Sequence, residues 1–544
     1  MKNRPVRYTI VPKDPHAHLF EVACTVGDPD PGGQRFRLPA WIPGSYMIRE
    51  FARHFVSVKA QADGRPVRIE KLDKHTWQAA PLPGARALTV TYEVYAWDLS
   101  VRAAHLDQTH GFFNGPSVFL AVLGREADPC LVDIRPPAGA TGANWRVATT
   151  LRPARGERGC ARPHGFGLYR ADDYDDLIDH PVEIGEFVLA RFEACGVPHE
   201  VAISGRHDCD TERLCRDLRR ICEWQIRLFG EPAPFDRYLF LVTAVGEGYG
   251  GLEHRDSTAL QCARGDLPWP GMEGMPEAYR GFLGLCSHEY FHAWNVKRIR
   301  PAALVPPDLA RENYTRLLWV FEGFTSYYDD LALVRSGAIG AADYLELLAR
   351  TMTNVRRTPG RLRQSIAESS FDAWIKYYRQ DENAPNAIVS YYAKGALVAL
   401  ALDLELRARS AGRISLDEVM RALWARHGLT GVALAEQGMA PLIRELSVWD
   451  PSRLLARCVE GTEDPPLDRL LRRFGVAVAW KPENPAPTLG IKPAFEAGAV
   501  RLSSVFDGGA ARQVARGQAA LPGGAAVEHA GKPHRARLER ELDA

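Results

Sequence analysis

Near residues 185–200 the chain changes its hydrophobic rhythm, and that change divides any fold it can adopt. Before it, Leu19–Val26, Val56–Ala60 and Leu88–Tyr95 have the β-branched and aromatic content of strands, the last two with period-two alternation. Pro43-Gly44, Asp63-Gly64 and Pro83-Gly84 supply turn signals between them. Short strands punctuated in this way predict an N-terminal antiparallel β-sandwich over residues 1–185. After the change, helical spacing takes over, with one apolar strand at Tyr238–Val242, and between roughly 340 and 480 the chain reads as helical throughout. Ser415-Leu416-Asp417-Glu418 opens one of those helices as a capping box, in which Ser415 and Glu418 satisfy free backbone amides reciprocally.

At 544 residues the chain is too long for one core, so three or four domains are expected. Its charges nearly cancel, 68 basic against 67 acidic for a net +1, which argues against a nucleic-acid-binding surface. No run is apolar enough to span a bilayer, and the N-terminus turns polar before a signal peptide could form. The ten cysteines contain no Cys-x-x-Cys pair and are expected as buried thiols in a cytoplasmic protein.

The chemistry begins at His288-Glu289-Tyr290-Phe291-His292. Residues four apart on a helix lie one above the other, so both imidazoles can reach one ion. Leu283, Cys286, Tyr290 and Trp294 form an apolar stripe on the opposite side, which turns the histidines toward a cleft. Chance alone produces this pentapeptide in roughly three of a hundred chains of this size and composition. The motif therefore needs a third ligand, since a catalytic zinc takes three and leaves one position for water. Glu322 is the candidate, an acid amid Trp319, Val320, Phe321 and Phe324. A buried carboxylate there would need a cation, whereas a surface-facing one would not. The residues alone leave both readings open.

The run Ser287–Pro301 resembles the glycyl aminopeptidase family of gluzincin zinc metallopeptidases, whose catalytic domain is thermolysin-like. Similar too are Gly250-Gly251-Leu252-Glu253-His254, Phe321–Tyr328, Ser390–Gly395 and, near the start, Trp41-Ile42-Pro43-Gly44-Ser45-Tyr46. The resemblance implies one Zn2+ per chain on His288, His292 and Glu322, with Glu289 as general base. It implies that Tyr392 donates to the oxyanion, by the pattern Tyr392-Ala393-Lys394-Gly395, with Tyr391 as the competing candidate. It also implies that Gly250 and Gly251 let a substrate backbone approach closely and that Glu253 pairs with the free α-amino group. Without the resemblance, that stretch reads as a Gly-rich turn with a solvated Glu. Asp329 and Ser326 are candidates to support the histidines from behind, and Asn295, Lys297 and Arg298 have no assigned role.

Members of this family often end in a PDZ domain. Leu489-Gly490-Ile491 and Val505–Ala510 resemble its beginning, but the Ala-, Gly- and Arg-rich remainder lacks aromatic residues and cannot build a core. A shifted reading frame and a disordered tail would look alike. The expectation is thus a multidomain α+β protein. A β-sandwich (1–185) precedes a thermolysin-like catalytic domain (186–365), an α-helical domain (366–481), and a Pro-rich linker with a degenerate PDZ-like tail (482–544). Its expected activity is removal of N-terminal residues, with small Gly or Ala first, from peptides with a free N-terminus. An endopeptidase of the same fold and a catalytically silent peptide-binding scaffold are the alternatives.

Overall fold

The computed structural model describes residues 4–139, 142–481, 489–496 and 499–515. They fall into two compact units, one made of the described residues within 1–313, 328–344 and 420–435, the other of those within 314–327, 345–419 and 436–515.

The first unit begins with an eight-stranded sheet and two four-stranded sheets. In the large sheet, Leu19–Gly27 pairs with Ala87–Tyr95, setting Phe20, Val22, Cys24 and Val26 opposite Val94, Tyr92, Val90 and Leu88. All eight are buried, so period-two patterning produces one continuous inner face. Phe36 and Trp77, from one of the smaller sheets, close over the same core, and Phe55 stacks on both Trp77 and Tyr92. One pairing departs from the antiparallel expectation: Val6–Ile10 runs parallel to Cys130–Ile134. These segments lie far apart in sequence, so no hairpin dictates their direction. The ten cysteines are free thiols, most of them buried.

The same unit continues into a mixed five-stranded sheet in the order Val188–Ala194, Val197–Ser204, Tyr238–Val245, Ser257–Ala263, Tyr249–Glu253. The second and third strands are parallel, and the helix Thr211–Phe229 makes the crossover between them. Asp210 starts that helix by accepting a hydrogen bond from the Arg213 amide. Tyr249–Glu253 is the sheet's edge, antiparallel to Ser257–Ala263. Behind the sheet lies the helix Glu277–Phe291. Leu283, Cys286, Tyr290 and Trp294 are buried as its stripe requires, with Tyr290 packed among Tyr238, Phe235 and His199.

The second unit is helical through residue 473, its main helix being Ala393–Ser410. Ser415 opens the helix Leu416–Leu423 by a variant of the capping box. The Glu418 carboxylate accepts from the Ser415 amide as foreseen, but the Ser415 hydroxyl takes the amide of Asp417 and donates to Glu418. Toward the C-terminus a hairpin, Ile491–Glu496 with Ala499–Val505, precedes the helix Ala510–Ala515. Asn386 holds this segment by donating to the Val505 carbonyl and accepting from the Asp507 amide, while Arg363 pairs with Asp507. The proposed linker and the remainder of the tail lie outside the described residues. No helix among the described residues is long and apolar enough to cross a membrane.

Candidate active site

Within the first unit, the helix Glu277–Phe291 presents His288, Glu289 and, as its C-cap, His292. Each imidazole has Nδ1 committed: that of His288 lies 3.0 Å from Asp329 Oδ2, and that of His292 lies 2.7 Å from the Asn295 carbonyl oxygen. Nε2 is therefore the nitrogen through which either ring could bind an ion, and both rings are held against rotation. Of the two candidate supports for His288, Asp329 is the one bonded to it. Asn295 acquires a role that no sequence signal indicated, because it acts through its backbone. Burial pushes the Asp329 carboxyl up, against the pull of His288.

Lys297 and Arg298 anchor the end of this helix. Lys297 Nζ lies 2.5 Å from Asp179 Oδ1, with both side chains buried. Arg298 donates to the carbonyls of Pro234, Arg255 and Ala293 and to the Asp256 carboxylate. The matched residues after the motif are thus the clamp that fixes the two histidines against the β-rich region.

Glu253 ends the edge strand and is 3% exposed. The donor atoms of Glu253, Glu289 and His292 lie within 4.8 Å of one another. Glu253 Oε1 has no hydrogen-bond partner among the described residues, so this buried carboxylate lies beside Glu289 with an acceptor to satisfy. The two glycines before it differ in purpose. A Cβ at Gly251 would strike the Glu289 carboxylate, so glycine there makes room for the histidine helix. A Cβ at Gly250 would meet nothing closer than 3.6 Å, so the protein itself does not demand glycine there.

The Trp41–Tyr46 run reaches this site as well. Ile42–Ser45 is a tight turn closed by the Ser45 amide on the Ile42 carbonyl, with Pro43 and then Gly44 at φ +93°. A Cβ on Gly44 would come within 2.6 Å of Glu253 Cδ. The turn therefore seats its backbone directly on the carboxylate, and only glycine allows both the φ and the approach. A cavity of about 50 Å3 beside them is lined by Trp41, Pro43, Gly44, Tyr46, Glu253 and His254, among others. The Pro-Gly signal was legible in the sequence, whereas its contact with Glu253, 209 positions away, was not.

In the second unit, Glu322 is 2% exposed, ending the turn Leu318–Phe321 and preceding the helix Gly323–Arg335. Gly323 meets Gly395 backbone to backbone: a Cβ on Gly323 would lie 2.6 Å from Gly395 Cα. That contact brings the Glu-Gly and Tyr-x-Lys-Gly motifs together. Burial, then the Glu322 carboxylate, push the Tyr392 phenol well above its ordinary value, so it remains a hydrogen-bond donor at neutral pH. Its hydroxyl lies 2.9 Å from that of Tyr378. Tyr392 is part-exposed, whereas Tyr391 is fully buried beneath it.

A His-Glu-x-x-His helix behind a mixed sheet, with a glutamate ending the edge strand, defines a metallopeptidase. Residues 7–186 match the peptidase M61 N-terminal domain and residues 281–398 match the M61 glycyl aminopeptidase domain. Among solved structures, an aminopeptidase N family protein from Idiomarina loihiensis is 43% identical with a TM-score of 0.88, over 92% of this chain and 86% of that one. An M1 zinc metallopeptidase from Deinococcus radiodurans shares the fold at 14% identity and a TM-score of 0.54, over 86% of this chain and 95% of that one. A mutant M1 zinc metallopeptidase from the same organism, bound to a Tyr-Ser-Ala substrate, is similar at 15% identity and a TM-score of 0.50, over 86% and 95%. No curated protein matches the sequence significantly. The chain belongs to the M61 glycyl aminopeptidase family. It is a multidomain α+β metallopeptidase, with a β-rich N-terminal region and a helical C-terminal one.

Proposed function

We propose that this protein is a zinc aminopeptidase that binds one Zn2+ per chain through His288, His292 and Glu322 and removes small N-terminal residues from peptides. The ligand set is supported by the two Nε2 atoms, by the burial of Glu322 among apolar residues, and by helix geometry. Glu322 and Asp329 are seven residues apart and so share a helix face, and Asp329 holds His288. Two imidazoles and a carboxylate are an ordinary donor set for catalytic zinc.

Zinc held there supplies Lewis acidity, activating a water and polarising the scissile carbonyl. Glu289 takes the water's proton and passes it to the departing amine. Tyr392 donates to the oxygen that becomes negative in the transition state. Glu253 receives the substrate's α-ammonium group, and the edge strand with Gly250 receives its backbone.

The observation that carries the exopeptidase reading is the buried Glu253 oxygen without a partner, which an ammonium group would satisfy by a charge-assisted bond. The 50 Å3 cavity beside it is on the order of a few waters in size, which suits glycine or alanine as the first residue. Hydrolysis of matched free and N-acetylated peptides tests this. Acetylation should cost on the order of a hundredfold or more in kcat/KM, and Glu253→Ala should narrow that gap. Internal cleavage of acetylated peptides at the same rate would overturn the reading in favour of an endopeptidase.

A further inference from the structure

We infer a second divalent-metal site, on the hairpin formed by Ala104–Leu106 and His110–Phe113, with His105, Asp107 and His110 as ligands. One donor atom from each lies within 4.8 Å of the other two. His105 Nε2 and Asp107 Oδ2 are 3.2 Å apart, close to the roughly 3.3 Å edge of a tetrahedron of nitrogen and oxygen around zinc. The site belongs wholly to the first unit and shares no residue with the catalytic one.

What distinguishes it from a chance meeting of polar side chains is that Asp107 and His110 are each held from behind. Asp107 Oδ1 accepts from the Thr109 amide, the Thr109 hydroxyl and the His110 amide, which aims Oδ2 at the imidazoles. His110 Nδ1 lies 3.0 Å from Glu183 Oε1, and that oxygen also accepts from the Ser204 hydroxyl at 2.6 Å. A buried carboxylate behind an imidazole fixes the ring and strengthens its other nitrogen as a ligand. The His105 ring lies between Trp97 and His110, 5.0 Å from each. The group opens on a shallow pocket also lined by Trp97, Thr109, Gly205 and Thr243, so a fourth position is left to water or a small ligand. Two imidazoles and one carboxylate select a borderline transition cation such as Zn2+, Co2+ or Ni2+ rather than Ca2+ or Mg2+.

Equilibrium dialysis of the purified enzyme against micromolar free Zn2+, with metal counted per chain, tests this. Wild type should hold two ions, His110→Ala one, and His288→Ala one. Asp107→Asn should also drop to one, and it keeps an oxygen acceptor for the turn amides, so the hairpin stays folded. One ion in wild type that His288→Ala abolishes, or two ions retained in both His110→Ala and Asp107→Asn, would overturn the site. Retention of the ion in His288→Ala together with loss in His110→Ala supports it even if the catalytic assignment fails.

Discussion

Glu289 is 6% exposed, and Gly251 turns an empty face toward its carboxylate. In the proposed reaction its work is to accept a proton rather than to hold an ion. Glu289→Gln should therefore retain zinc while kcat falls by about 10²–10⁴-fold, because an amide cannot accept that proton. Metal analysis beside steady-state kinetics checks both halves, and a variant that lost its zinc would move Glu289 into the ligand set. Of the adjacent tyrosines, the part-exposed Tyr392 can reach a substrate and the fully buried Tyr391 cannot. Tyr392→Phe should lower kcat by about 10²–10³-fold with little change in KM, as expected for a bond made in the transition state. Tyr391→Phe should leave kcat within a fewfold, and the reverse outcome would exchange their roles.

At the scale of elements, the site depends on how closely backbones approach one another. Gly323 and Gly395 bring the residues following Glu322 and Tyr392 into contact, and no larger side chain fits between them. Gly323→Ala should push the two segments apart, lowering activity and costing about 1–3 kcal/mol of stability, the usual penalty of overpacking. Thermal unfolding together with zinc affinity would detect this, and an unchanged melting temperature would show that the contact yields easily. Asp329 acts from a different helix than the histidine it supports. Asp329→Ala should weaken zinc binding by about 10–100-fold while leaving the ligand set intact. Competition against a chelator measures that loss, and wild-type affinity would remove Asp329 from the site's supports.

For the whole molecule, the buried Asp179–Lys297 pair joins the end of the histidine helix to the β-rich region. Burial raises the Asp179 carboxyl, but Lys297 and Arg255 pull harder and hold it well below the usual carboxylate range. A depressed pKa means that the folded state binds this proton less readily than the unfolded one. The pair's stabilisation is therefore full above about pH 4, the ordinary aspartate value, and is lost only as the pH falls through the lower folded value. Asp179→Asn leaves Lys297 charged and buried, at a cost of ~3–5 kcal/mol near neutral pH. Unfolding curves from neutral to strongly acid pH should show the two proteins converging only at the acid end. Convergence above pH 5 would mean that the pair contributes little.

The local features were readable from the residues in order. Alternation over Leu88–Tyr95 made a strand with one buried face, the spacing of Leu283, Cys286, Tyr290 and Trp294 turned a helix correctly, and Pro43-Gly44 made a tight turn. Such patterns are local because side-chain direction repeats every two or 3.6 residues. The partners of those elements were not readable. The turn at Gly44 covers Glu253, the carbonyl of Asn295 orients His292, and Asp179 receives Lys297. Each joins residues that local pattern does not connect, or acts through backbone atoms that every residue carries alike. The order of residues thus determined the elements and the kinds of side chain available for catalysis. Only packing in three dimensions decided which carboxylate would be buried, which would be neutralised, and which would be left with an oxygen that no neighbouring donor satisfies.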